Sequence, residues 1–71
     1  MKTDPAVIAN IRAEMARNGV RQQDLANRLG IAQQGISARL RGQTPITAAE
    51  IQAIADEIGC HPEKFIEADH V

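Results

Sequence analysis

Between Gln33 and Gln43 the chain sets out a row of hydrogen-bonding side chains: Gln33, Gln34, Ser37, Arg39, Arg41 and Gln43. These types suit flat, polar edges and anions. A glutamine amide pairs bidentately with adenine N6 and N7, a guanidinium with guanine O6 and N7, and a serine hydroxyl with several base edges. Guanidinium groups also neutralise phosphates. Residues 31–42 contain neither Asp nor Glu, although exposed helices ordinarily mix both signs of charge. A carboxylate there would repel phosphate. A second group, Arg21, Gln22 and Gln23, stands where a helix begins, so its backbone N–H groups and positive dipole end can hold a phosphate oxygen.

Each residue also has a plainer reading. Two glutamines at a helix tip are often only solvated, and Arg39 and Arg41 can be a solvated surface. Arg12, Arg17 and Arg28 read first as surface charges. It is the row as a whole that implies contact: Gln33, Gln34 and Ser37 as base contacts, and Arg21, Gln22, Gln23, Arg39, Arg41 and Gln43 as backbone contacts.

The elements that must position these residues are helices. Asp4-Pro5 supplies an N-cap and a proline at the first helical position. Val7, Ile8, Ile11 and Met15 mark one face, and Asn18-Gly19 stops the helix. A short helix over about 21–29 turns Leu25 and Leu29 inward with Ala26 between them, and Gly30 follows as a left-handed stop. The third helix, about 33–41, carries Ile36 and Leu40 as its seam and ends at Gly42. On a helical wheel Gln34, Ser37, Ala38 and Arg41 lie opposite that seam, with Gly35 and Arg39 on one flank. Thr47-Ala48-Ala49-Glu50 is a capping box after a polar loop. Ile51, Ile54, Ala55 and Ile58 form the stripe of the fourth helix, which Gly59 ends. His61-Pro62-Glu63 opens a last short helix, with Phe65 and Ile66 to close the core, and residues 67–71 read as a frayed tail.

The 71 residues fit one domain. Charge is polarised along it: residues 1–41 hold seven basic against three acidic side chains, residues 42–71 one against six. A basic half can face a polyanion while the acidic half faces away or toward a partner. One cysteine, Cys60, excludes an internal disulfide and fits a reduced, cytoplasmic setting. No apolar run approaches the roughly 20 residues of a membrane span. Cys60, His61 and the distant His70 match no metal-ligand spacing, so no metal or cofactor is expected. No arrangement of catalytic groups is evident, so an enzyme is not expected.

Two short helices joined by Gly30-Ile31-Ala32 form a helix-turn-helix, whose second helix protrudes and fits a major groove about 12 Å wide. The stretch Val20-Arg21-Gln22-Gln23-Asp24-Leu25-Ala26-Asn27-Arg28-Leu29-Gly30-Ile31-Ala32-Gln33-Gln34-Gly35-Ile36-Ser37-Ala38-Arg39-Leu40-Arg41-Gly42 resembles the lambda repressor/Cro (XRE-type) family of helix-turn-helix domains. The stretch from Thr47 to Cys60 is similar to that family's fourth helix, and the likeness covers about residues 5–66. Ser37-Ala38-Arg39-Leu40-Arg41-Gly42 looks most like phage and prophage versions. The resemblance implies an all-α, compact five-helix lambda repressor-like fold and a Cro-like or repressor-like transcriptional regulator acting on a double-stranded DNA operator. It implies that Gln22 holds a phosphate, that Gln33 contacts a base, and that Gln34 and Ser37 face the groove. Arg21 and Ala32 depart from it, standing where the family carries a capping Thr or Ser.

A homodimer is expected at least on DNA, touching through the fourth and fifth helices around Ile66, Phe65 or the tail. No membrane or small-molecule partner is expected. The alternative is a helix-turn-helix fold used as a protein-interaction module, of the antitoxin or regulatory-subunit kind, with the acidic half as its working surface.

Overall fold

The computed structural model describes residues 3–66; the tail expected to fray lies outside them. Helix α1 runs Pro5–Asn18, α2 Gln22–Leu29, α3 Gln33–Leu40, α4 Ala48–Ile58 and α5 Glu63–Ile66. The ends follow local chemistry. Asp4 Oδ1 accepts from the Ala6 N–H at 2.8 Å, and Thr47 Oγ1 accepts from the Glu50 N–H at 3.1 Å. Glu50 Oε1 returns the favour to the Thr47 N–H at 3.0 Å, completing the box. The turn between α2 and α3 needs Gly30, whose φ of 69° is a left-handed value that costs other residues about 1–2 kcal/mol. There the Ile31 N–H reaches back to the Ala26 carbonyl at 3.1 Å, which closes α2 and redirects the chain.

The core is aliphatic around one aromatic. Ile8, Ile11 and Met15 of α1 meet Leu25 and Ala26 of α2, Ile36 and Leu40 of α3, and Ile54, Ala55 and Ile58 of α4. Phe65 fills the centre with no exposed surface. Helix α2 packs on both α3 and α4, and α1 packs on α5 and more lightly on α4. The Asn10 amide donates to the Phe65 carbonyl at 2.7 Å and so fastens α5 to α1.

Several expectations are corrected by this packing. Ile66 does not help close the core, because α5 has only four residues and turns it outward, leaving it 65% exposed. Phe65, fully buried, is not available as a dimer contact. Ile46, in the segment that reads as a polar loop, is buried instead, and its N–H donates to Thr3 Oγ1 at 2.8 Å. Arg41 follows α3 as its cap residue rather than ending the helix itself.

Candidate nucleic-acid interface

Helix α3 is amphipathic in an unusual sense: its outer face is polar but carries no negative charge. Ile36 and Leu40 are buried, Gln33, Gln34 and Arg41 are exposed, and Ser37 and Ala38 are half-buried. No Asp or Glu occurs anywhere from residue 25 to residue 49. Ser37 and Ala38 keep the middle of this face low, while the Arg39 guanidinium covers the Gly35 carbonyl at 2.9 Å. Arg41 Nη2 lies 3.4 Å from Gln43 Oε1, so these two exposed side chains sit together just past the helix end.

The start of α2 lies near the end of α3. Arg21 and Gln22 share a groove of about 290 Å³ with Arg12, Met15, Val20 and Leu40. Gln23 is exposed and donates to Asn27 Oδ1 at 2.9 Å, one turn on. Arg21 caps α2 without an acceptor in its side chain, since a guanidinium only donates. The Asp24 carboxylate supplies the return half of a capping box, accepting from the Arg21 N–H at 2.9 Å. The positive first turn of α2 therefore lacks the side-chain cap that Thr or Ser would give. Helix α3 begins in the same way, with Ala32 offering only its carbonyl to the Gly35 N–H at 2.9 Å.

Arg39 and Arg41 part company. The sequence sets both against phosphate, yet the Arg39 side chain is only 17% exposed. Its Nε donates to Glu50 Oε1 at 3.1 Å and its Nη2 to Glu50 Oε2 at 3.0 Å. Its Nη1 donates to the Gly35 carbonyl at 2.9 Å. Those guanidinium bonds hold the Glu50 carboxyl below its ordinary 4.5, against the opposing effect of burial and with help from the Thr47 N–H. Arg39 is thereby engaged inside the fold, while Arg41 is left outside it.

Other arginines also have partners. Arg12 donates to the Leu40 carbonyl from Nε at 3.4 Å and from Nη2 at 3.3 Å, holding the negative end of α3. Arg28 reaches Asp56 at 3.4 Å and Glu57 at 3.7 Å, and Arg17 reaches the buried Glu14 at 3.5 Å. The ties of Arg12, Arg28 and Arg39 cross 28, 28 and 11 residues of chain. No helical spacing signals them. Cys60 is half-buried, and burial first, then the Glu14 charge, pushes its thiol up and keeps it protonated. No described helix is long and apolar enough to cross a membrane.

Comparison with known proteins agrees with this geometry. A family model described as helix-turn-helix matches residues 11–65, most of the chain and all of α2, α3 and α4. Neither the curated proteins nor the solved structures contain a match.

Proposed function

The chain belongs to the lambda repressor/Cro type of helix-turn-helix family, whose members are DNA-binding regulators, and from that premise we propose that it is a sequence-specific regulator of transcription, Cro-like or repressor-like. Helix α3 enters the major groove of a double-stranded operator. Gln33, Gln34 and Ser37 meet base edges, while Arg21, Gln22, Gln23, Arg41 and Gln43 meet the sugar–phosphate backbone. The observation that carries the reading is the outer face of α3: polar and exposed, within 25 residues of chain free of carboxylates. The nearest downstream acid, Glu50, is neutralised by Arg39. The likeness of residues 37–42 to phage versions supports a phage-type regulator.

Two copies occupy half-sites one helical turn apart, about 34 Å between centres. Their contact lies beside α4 and α5, where Ile66, among the described residues, is an exposed large apolar side chain.

Selection of bound duplexes from a random pool tests specificity and pairing together. A palindromic winner is expected. Against that winner, Gln33→Ala should lose about tenfold or more in affinity, the usual effect of one bidentate base contact. Arg41→Ala should weaken all duplexes alike and flatten the salt slope by about one unit. Salt-sensitive binding to every sequence equally would leave only non-specific affinity. No binding at all would favour the protein-interaction reading, with the acidic face of α4 and α5 as the surface to probe.

A further inference from the structure

We propose that the Arg39–Glu50 ion pair is a positioning clamp: it fixes how α3 sits on the body of the domain, and so sets discrimination among duplexes without Arg39 touching DNA. The clamp rests on the reading of α3 as the groove-entering helix. Among the described residues, the backbone of α3 lies closest to α2, and α3 shares the core with α1 and α4 through the inward side chains of Ile36 and Leu40. A short helix held by so narrow an apolar seam can roll about its line of contact with α2. Such a roll would carry Gln33, Gln34 and Ser37 off their base edges while leaving Ile36 and Leu40 in the core.

The bridge to Glu50 opposes that roll. Two parallel N–H···O bonds, at 3.1 and 3.0 Å, join a planar guanidinium to a planar carboxylate, and a fork of this kind fixes direction as well as distance. Both ends are themselves held. Glu50 is tied into the first turn of α4 by the Thr47 N–H at 3.0 Å. Arg39 is tied to its own helix by the bond from Nη1 to the Gly35 carbonyl at 2.9 Å. Gly35 makes room for this arrangement, since a Cβ there would stand 3.3 Å from Arg39 Nη1 and 3.3 Å from Ile31 Cδ1. In the same last turn of α3, Arg12 holds the Leu40 carbonyl from the α1 side. The helix is thus restrained from α1 and from α4, and the tie to α4 is the shorter and the more directional.

The test compares unmutated protein, Arg39→Lys and Glu50→Gln for affinity to the selected duplex and to a scrambled duplex over a range of salt. Lysine keeps the charge but loses the fork; glutamine removes the carboxylate charge but keeps an acceptor for the Thr47 N–H. Both variants should lose about tenfold in the ratio of selected to scrambled affinity, the scale of one misread base pair. Neither should flatten the salt slope. Amide NMR spectra should show folded proteins with shift changes concentrated in residues 33–42.

A phosphate-anchoring Arg39 gives the opposite pattern, and that pattern would overturn the clamp. Glu50→Gln would release the guanidinium, tighten binding to both duplexes and steepen the slope by about one unit, with the ratio unchanged. A ratio unaffected by Arg39→Lys, or α3 amides that do not move in Glu50→Gln, would overturn it equally. Should Arg39→Lys fail to fold, Glu50→Gln decides alone. Absence of any sequence preference in the unmutated protein is a separate result: it refutes sequence-specific reading by α3, and the clamp's function with it, before a variant is measured.

Discussion

The helices of this domain begin in two different ways. Helices α1 and α4 are closed by their own chain, α1 by the Asp4 carboxylate and α4 by the reciprocal pair of Thr47 and Glu50. Helices α2 and α3 begin at Arg21 and Ala32, neither of which caps with a side chain. A missing N-cap typically costs about 1 kcal/mol, so the two open ends are a standing loss in a small domain. Both belong to the helix-turn-helix, and both are exposed. Under the DNA reading the difference has a purpose: amides that no hydroxyl occupies can bind phosphate oxygens. On that reading the scaffold helices are finished in the free protein, and α2 and α3 would be finished by the DNA.

Substitutions can break or sharpen this contrast. The largest effect is expected from the scaffold's interior, because Ile54 of α4 is buried against several helices. Ile54→Ala should cost about 2–5 kcal/mol in chemical denaturation, mixing the lost transfer energy with a cavity. Thr47→Ala should cost about 1 kcal/mol by the same measurement, as loss of a cap does. Ala32→Ser should act in reverse and stabilise by about 0.5–1 kcal/mol, because it closes an end that is open now. If Ala32→Ser instead leaves stability unchanged, the contrast between closed and open ends has no energetic content at α3.

The smallest effect concerns Glu50, which serves both regions. Its folded-state pKa is depressed below the ordinary 4.5, first by the Arg39 bonds. The stability it contributes is therefore fully present above about 4.5 and is lost as pH falls through the lower folded value. Hydrogen exchange of α3 amides, followed from pH 6 downward, should show loosening of α3 only in that acidic range. Loosening already at pH 6 would sever the link between Glu50 and α3.

What the sequence discloses about this fold is mostly local. Asp4-Pro5, the Thr47 to Glu50 box and the glycines after α1, α2 and α4 act within a turn of where they stand, so helix ends can be placed from neighbours alone. The seam of Ile36 and Leu40 and the stripe of Ile54, Ala55 and Ile58 follow from helical period. Ile46 escapes such rules because it belongs to no helix; it alone of the α3–α4 link joins the core, while its N–H donates to Thr3 Oγ1. Four-residue helices have too little period to show which side faces inward, and so Phe65 and Ile66 could not be told apart. The polar row on α3 was legible as a set of residue types, but the division of labour between its arginines was not. Arg39 and Arg41 are two residues apart on a helix end, about 200° around the axis, and only the position of α4 decides which of them meets a carboxylate.

Gly35 carries a consequence for how this protein could change its target. Its position lies between Gln34 and Ser37 on the helix taken to read bases, and in principle a new side chain there could recruit another contact. Any such side chain would start 3.3 Å from the Arg39 guanidinium and 3.3 Å from Ile31. A side chain at position 35 would push those two side-chain ends aside by a few tenths of an ångström, and so would press on the proposed clamp. Under the proposed reading, a change of target is therefore expected at residues 33, 34 and 37 before residue 35, where a new side chain must first displace the Arg39 guanidinium.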